Sequence, residues 1–402
     1  MSILPVHVSS NSEYTTSWSR FSDLNNLYNP SFLTAVKMFV CTYFIVYVIF
    51  CRYATVTKDD DCSMDCNDEV QVSLSKDNLK ETQSSVDTCD FSCSSSTPNI
   101  VIEDIQHSDD DMMFFTGLPN YKTFNALFQS LIDAGGDGLS TENQEKLNRN
   151  HLGRKRKLRR VDEFLLVLMR LRLGLLLKDL EFRFKISASA VSKIFNRWIS
   201  FMYECMQAIL FLPDLKQLQM YIPECFKNFS DTRIVLDCTE VFVQTPSSLE
   251  NRSLTFSNYK SHDTFKALVG ISMTGAVTFV SKLWPGSTSD VDITRNSGLF
   301  DILQEKDAVM VDKGFVHLRN DFKPRKIKLY CPPFKTKEQF SKSEVEMTRR
   351  IASARIHVER KIEQIKNFRI LQGVLPLALS DIADEIFFVC SAMTNLLPPL
   401  VM

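Results

Sequence analysis

Arg233-Ile-Val-Leu-Asp237-Cys-Thr-Glu240 is the stretch on which the reading of this chain turns. Its short aliphatic and β-branched run reads as a buried strand, and it runs into a carboxylate. The same pattern recurs at Ala308-Val-Met-Val-Asp312-Lys-Gly-Phe315, while a third acid, Glu359 in Ala354-Arg-Ile-His-Val-Glu359-Arg360, falls on a long helical pattern. Buried carboxylates repel one another and are costly to desolvate unless something positive neutralises them, and the usual solution is a divalent ion held by oxygen ligands. Three such groups can hold a pair of Mg²⁺ or Mn²⁺ ions of the kind that activate water and stabilise the leaving oxygen in phosphodiester cleavage. Asp237, Asp312 and Glu359 are therefore the candidate metal ligands and catalytic acids.

Outward from Asp237 the hydrophobic period is that of strands, over Arg233–Val243, Phe265–Met273, Ala276–Leu283, Ala308–Val311 and Ile327–Cys331, followed by a helix over Glu344–Phe368. Three strands joined by tight connections with a hairpin turn at Gly275, a helical connection after Gly286-Ser-Thr-Ser-Asp290, two more strands and a long helix predict an α/β fold: an RNase H-like mixed sheet flanked by helices. Alternation along the first strand puts Asp237 and Thr239 on one face and Glu240 on the other, so Glu240 is not expected to share a metal with Asp237. Asp290 and Asp292 read as helix caps in preference to ligands. On the long helix, Ile351, Val358, Ile362 and Ile365 form the stripe that packs on the sheet, and Glu359 at its margin can reach over the sheet edge. Singly, each acid has a plainer role: Glu359 as the partner of Arg355 one turn back, Asp312 as a turn residue before Lys313-Gly314. Their order on strand, strand and helix points to a site.

Upstream, Phe124, Leu127, Phe128, Leu131 and Ile132 recur at helical spacing and open a small all-α domain. Gly153–Arg160, Gly-Arg-Lys-Arg-Lys-Leu-Arg-Arg, is a candidate nuclear localisation signal, phosphate-binding arm or solvated face, with Lys155, Arg156 and Lys157 as candidate DNA contacts. After it come an apolar helix over Val161–Gly174, a short helix over Leu175–Phe184, a turn at Lys185-Ile186-Ser187 and a helix over Ala188–Phe201, the arrangement of a helix-turn-helix. Ser187 is placed to cap the last helix. Ser189, Ser192, Lys193, Asn196 and Arg197 then lie on its polar side as candidate DNA contacts, with Val191, Ile194, Phe195 and Trp198 inward. A bundle that only supports the sheet would show the same pattern.

The net charge of -1 conceals an asymmetry: residues 1–150 hold 9 Lys and Arg against 21 Asp and Glu, and residues 151–402 hold 38 against 27. An acidic leader followed by a basic body suggests that the body meets a polyanion. The 11 cysteines, an odd number, are scattered, and Cys205, Cys225, Cys238, Cys331 and Cys390 sit in apolar contexts that suit reduced thiols in a reducing compartment. Cys62, Cys66, Cys89 and Cys93 have paired spacing but almost no apolar surroundings, which disfavours a zinc module. Phe32–Cys51 is apolar apart from Lys37 and about long enough to span a bilayer, yet a buried helix or an extension unrelated to the main activity is preferred. Asp59–Asp111 is rich in Asp, Ser, Thr, Asn and Gln and reads as a disordered linker. The expected organisation is an acidic low-complexity leader over 1–111, a helical domain over 112–228 with the helix-turn-helix at 161–201, and an RNase H-like domain over 229–399.

From Phe114 to Pro399 the chain resembles the DDE superfamily endonucleases of PIF/Harbinger-type and IS5-like transposons. The residues that carry the resemblance are Phe114-Phe-Thr-Gly-Leu-Pro-Asn-Tyr121, Arg170-Leu-Arg-Leu-Gly-Leu-Leu-Leu-Lys-Asp-Leu180, Asp237-Cys-Thr-Glu240, Ser257-Asn-Tyr-Lys-Ser-His262, Gly286-Ser-Thr-Ser-Asp290, Asp312-Lys-Gly-Phe315 and His357-Val-Glu-Arg360. The resemblance implies a metal-dependent DNA endonuclease with Asp237, Asp312 and Glu359 as its catalytic acids and the family's helix-turn-helix over Val161–Phe201. The zinc-binding DNA-recognition module that relatives often carry has no counterpart in the first 110 residues, which leaves recognition of DNA ends to the helix-turn-helix or to an accessory DNA-binding protein. Lys260, His262, Lys266, Lys313 and Arg360 are candidate phosphate contacts, each with a solvated basic face as the plainer alternative. The expected partners are double-stranded DNA, a second copy of the chain and an accessory DNA-binding protein rather than a membrane, and the expected compartment is the nucleus. The competing expectation is a domesticated transposase-derived protein that binds DNA or a partner without cutting.

Overall fold

The computed structural model of the 402-residue chain describes residues 98–139, 157–333, 339 and 341–400. The apolar segment at 32–51, the four paired cysteines at 62, 66, 89 and 93, most of the acidic leader, and Lys155 and Arg156 lie outside the described residues.

The first ordered elements correct the sequence reading. The expected linker ends earlier than Asp111, because Ile102 and Ile105 are buried and Ser108 caps a helix, α1 (Asp109–Thr116), by accepting from the Asp111 N–H. Three aspartates at the head of a helix are stabilised by its dipole, so an acidic run that looks disordered in composition here starts a helix. Then follow α2 (Tyr121–Asp133), α3 (Arg160–Leu173), α4 (Leu177–Phe184), α5 (Ala188–Met206) and α6 (Leu215–Gln219). Rings of Phe124, Phe128, Phe164 and Trp198 pack in sequence at 5.2–6.5 Å and form the centre of this helical layer. Gly174 ends α3 in the left-handed conformation at φ 66, a backbone geometry that favours glycine. α4, a turn with Lys185 at φ 52, and α5 complete the helix-turn-helix, and Ser187 caps α5 through the Ala190 N–H as expected.

The rest of the chain is a mixed sheet with helices. β1 (Thr232–Phe242) leads through α7 (Leu249–Thr255) and β2 (Phe256–Ser257) into β3 (His262–Ile271), then β4 (Val277–Val280) and β5 (Trp284–Pro285). α8 (Asp290–Asn296) and α9 (Leu299–Ile302) cross to β6 (Ala308–Met310), and α10 (Arg319–Phe322) to β7 (Lys328–Tyr330). The long helix α11 (Lys342–Lys366) and α12 (Ala383–Met393) close the fold. The strand order is β2-β3-β1-β6-β7, with β4 and β5 on the outer side of β3; β1 is antiparallel to β3 and parallel to β6, which is parallel to β7. This is a mixed α/β sheet consistent with the RNase H-like order expected. Two details differ. The connection from β1 to β3 is not tight but holds α7 and β2, and the strand expected over Ala276–Leu283 is the shorter β4, with β5 a separate short strand beyond it.

The two faces of the sheet have separate cores. Ile234, Leu236, Leu268, Val309 and Val311 pack with Ile293, Leu299 and Phe315 on one side. Val235, Val269, Ile271 and Met310 pack on the other with Ile351, Ala354, Val358 and Ile365 of α11, in a core continuous with that of the helical layer. α12 ties the two together: Glu385 accepts from Ser200 Oγ at 2.6 Å, Phe388 meets Tyr203 edge to face, and Asp384 accepts from the Leu283 N–H. α11 is thus held between the sheet and the C-terminal segment.

Candidate active site

Alternation along β1 puts Asp237 on the face covered by α11, in register opposite Val269 of β3. Asp312 follows β6, the parallel neighbour of β1, at the head of a short 3-10 turn over Lys313–Leu318. Glu359 lies on α11 beside the buried Val358. Three separate elements therefore present one acid each to the same side of the sheet.

They are not equally buried, in contrast to the expectation of buried acids. Asp237 is mostly covered, whereas the side chains of Asp312 and Glu359 are 52% and 56% exposed. The strand acid lies under the helix, while the loop and helix acids border the solvent. Between them sits Arg355, itself only 9% exposed and one helical turn before Glu359. Its Nη1 is 3.2 Å from Asp312 Oδ1, its Nη2 is 3.8 Å from Glu359 Oε1, and its Nε is buried without a hydrogen-bond partner.

Burial pushes the Asp237 carboxyl up to about 6. The nearby Arg355 charge and the hydrogen bond from the Cys238 N–H oppose this, and the negative charges of Glu359 and Asp312 add to it. Arg355, with Lys366 of α11 also within electrostatic reach of Asp237, faces three carboxylates. An all-carboxylate donor set of this kind suits a hard divalent cation such as Mg²⁺ or Mn²⁺. As the side chains stand, no group of three His, Cys, Asp or Glu among the described residues is set to hold a metal ion, and the Arg355 guanidinium lies against Asp312 and Glu359.

The other face of β1 carries a closed polar network. Lys266 Nζ reaches Asp290 Oδ1 at 3.2 Å, Glu240 Oε1 at 3.8 Å and the Thr288 carbonyl at 3.0 Å, and its side chain is 13% exposed. Glu240 accepts from Thr264 Oγ1, so it faces away from Asp237 as the alternation requires. Lys266, a candidate phosphate contact by sequence, is instead enclosed by two carboxylates. Asp290 serves this network, and the cap of α8 is Ser289, which accepts from the Asp292 N–H.

The remaining candidates are on the surface. Lys260, His262, Lys313 and Arg360 are exposed, the last two adjacent in sequence to Asp312 and Glu359. On α5, Ser189, Lys193 and Asn196 are exposed and Ser192 and Arg197 half-buried, with Val191, Phe195 and Trp198 inward and Ile194 half-buried. Lys157 is exposed, and Arg159 is exposed too, but the two arginines that end the basic block are engaged within the chain. Arg159 binds Glu103 and Asp162, and Arg160 binds Glu163 and the carbonyls of Asp137 and Leu139. Glu163 is itself buried and also accepts from Trp198 Nε1, so these two arginines fix the start of α3. The residue that sequence reasoning treated only as an ion-pair partner is Arg355, and the signal for a larger role was its position one turn before Glu359 on the apolar side of α11.

Residues 236–395 match the family model described as DDE superfamily endonuclease, and residues 156–208 match that of the helix-turn-helix of DDE superfamily endonuclease. No curated protein and no solved structure gives a significant match. The first match contains all three acids and Arg355, and the second contains α3 to α5. With both matches in the order that the fold shows, this chain belongs to the DDE superfamily of transposase-type endonucleases.

Proposed function

We propose that the protein cuts DNA phosphodiester bonds as a transposase of the PIF/Harbinger and IS5-like kind, with Asp237, Asp312 and Glu359 as catalytic acids and ligands of Mg²⁺ or Mn²⁺. The observation that carries the reading is the convergence of these acids, from β1, the end of β6 and α11, around a single guanidinium. Bound divalent ions would supply activation of the attacking water, or of a 3′-hydroxyl in strand transfer, and neutralisation of charge on the leaving oxygen. The chain's own residues supply the rest. Asp237 must be ionised to act as a ligand, which its value near 6 allows at neutral pH. In this reading exposed Lys260, His262, Lys313 and Arg360 receive phosphates, and Ser189, Ser192, Lys193, Asn196 and Arg197 of α5 meet a DNA groove, supported by their exposed or half-buried positions. A nuclear location, self-association and an accessory DNA-binding partner belong to the same proposal.

The test is cleavage of labelled duplex DNA by the full chain with Mn²⁺, with and without excess chelator. Cleavage that needs the metal and is lost in Asp312→Asn supports the reading. Metal-independent cleavage, or none in a folded protein that binds DNA and Mn²⁺, would sink it in favour of a DNA-binding protein that does not cut.

A further inference from the structure

We propose that the hairpin between β2 and β3, with Tyr259 at its tip, is a stacking platform for an unpaired base of DNA beside the three acids, so that the protein prefers DNA with unpaired nucleotides to a fully paired duplex. This deepens the endonuclease reading and rests on it. The motif Ser257-Asn-Tyr-Lys-Ser-His262 joins the two strands, with Phe256 opposite Asp263 and Ser257 opposite His262. Tyr259 is 83% exposed, more than any other aromatic residue among the described residues, although Lys260 Nζ lies 4.7 Å from its ring centre. Phe256 is also exposed, and the His262 ring meets Phe242 edge to face with 5.5 Å between centres. Residues 251–262 carry Arg252, Lys260 and His262, all exposed, and no Asp or Glu. Rings interleaved with cations suit an unpaired strand of any sequence, because each nucleotide has a flat face to stack and a phosphate to neutralise.

The ring stands on a fixed support. Buried Asp263 accepts from Thr245 Oγ1 and Thr255 Oγ1, each at 2.7 Å, Ser257 accepts from the N–H groups of Lys260 and Ser261, and the Leu254 carbonyl accepts from the Ser287 N–H. A ring carried on such a support has little freedom left to lose when a base stacks on it. The hairpin also borders the acids: Lys366, in the last turn of α11, lies within electrostatic reach of Lys260 and of Asp237. Asp237 is mostly covered, whereas Asp312 and Glu359 are half-exposed. A phosphate in a regular duplex is held between stacked neighbours, so bringing it to the recessed acid calls for local unstacking, whose cost a stacking surface beside the site offsets. Phe182 of α4 is likewise exposed near a lysine, Lys185 at 5.3 Å, so a ring beside a lysine is not in itself the argument. The place of the hairpin against the acids, and the run of cations without an acid along it, carry the inference. Exposed Leu249 and Leu254 of α7 would also suit a protein surface, but the one-signed charge of the hairpin favours a polyanion.

The experiment is fluorescence anisotropy of labelled DNA with the full-length protein in Ca²⁺, comparing a fully paired duplex with one of equal length that ends in a short run of unpaired thymines. The proteins are the parent, Tyr259→Phe, Tyr259→Ala and, as a control for exposed rings in general, Phe182→Ala. The parent is expected to bind the unpaired-end duplex about tenfold more tightly than the paired one, and Tyr259→Phe and Phe182→Ala to keep that ratio. Tyr259→Ala should bring the ratio to within about twofold of unity, with its affinity for the paired duplex and its thermal melt close to the parent's. Should Tyr259→Ala fail to fold, Tyr259→Leu, apolar but without a flat face, takes its place with the same expectation. No preference in the parent, a preference that survives Tyr259→Ala, or one that Phe182→Ala abolishes as well, overturns the inference and leaves the nuclease reading intact. Loss of self-association in Tyr259→Ala with the DNA preference unchanged assigns the hairpin to a second copy of the chain, which also overturns it. A folded parent that binds neither DNA overturns both readings.

Discussion

Replacing Asp237 by Asn should make the metal-free protein more stable at neutral pH, although it removes a proposed catalytic acid. The side chain is mostly covered by α11, and burial lifts its folded-state value from 3.8 to about 6 despite the nearby Arg355. Between those values the folded protein holds the proton more tightly than the unfolded chain, so stability falls as pH rises from about 4 to about 6 and is level above that. Such a shift corresponds to at most about 3 kcal/mol, and relaxation around the charge reduces this to roughly 1–3 kcal/mol. Asn keeps the shape and an acceptor for the Cys238 N–H, and leaves Arg355 its pairings with Asp312 and Glu359. Urea unfolding followed by circular dichroism, in chelator and at several pH values, measures the difference. The variant should be the more stable near pH 7 by that margin, with the advantage shrinking towards zero near pH 4. An Asn variant that is less stable at neutral pH, or an advantage that does not change with pH, would refute the claim that Asp237 carries an under-neutralised charge.

Three further outcomes are expected. Glu359→Gln should lower DNA cleavage by orders of magnitude while DNA binding persists, and Glu363→Gln, one turn further along the exposed side of α11, should have a mild effect; gel assays that reverse this order would show the third acid to be misassigned. DNA binding should weaken steeply with salt, and Lys193→Ala on α5 should reduce the slope of log affinity against log salt by about 1 if that lysine meets a phosphate. Gly286→Ala should cost about 1–3 kcal/mol in thermal or urea melts, because the new Cβ would collide with Thr264 Oγ1 and with the backbone carbonyls of Thr255 and Thr264. Wild-type stability in that variant would mean that the loop into α8 yields more easily than its packing indicates.

The parts of the fold that a linear pattern could carry were legible. β1, β3, β6, β7 and α11 stand within a few residues of their expected spans, because each is an aliphatic run or stripe with one buried face and a polar or glycine boundary. The helix-turn-helix was legible for the same reason, as Ser187 caps α5 and Val191, Phe195 and Trp198 recur inward. What escaped were features decided by partners distant in sequence. The order at Ile102 and α1 depends on burial beside α3, the last two arginines of the basic block are paired with Asp162 and Glu163, and Lys266 is enclosed by Asp290 from a later element. Arg355 is the instructive case. Its i to i+4 relation to Glu359 was visible, but its link to Asp312, 43 positions away, exists only in three dimensions.

At several places in the described chain, buried charge is met by charge. Arg233 and Asp307 pair at 3.0 Å where β1 and β6 begin, Glu163 takes bonds from Arg160 and Trp198, and Asp162 is held by Arg159. Pairs of this sort are close to neutral for stability and expensive to break, which is how a fold carries polar groups inside at little net cost. Asp237 departs from that pattern. The cation near it is committed to two other acids, and its proton affinity moves upward, where a well-paired carboxylate would move downward. Lys361, two residues after Glu359, departs from it too: it is buried, has the Thr394 carbonyl as its acceptor, and is pushed down to about 7 by burial, and Arg170 of α3 lies buried over the Phe195 ring with its Nη1 unpartnered. Asp237, on β1 under α11, and Lys361, on α11, flank the helix that brings Glu359 to the sheet. Uncompensated burial is thus not confined to the site, but at Asp237 it coincides with two further acids, from separate elements, gathered about one arginine. That coincidence, and not a raised proton affinity alone, separates Asp237 from a structural carboxylate such as Asp384, whose proton affinity burial also raises.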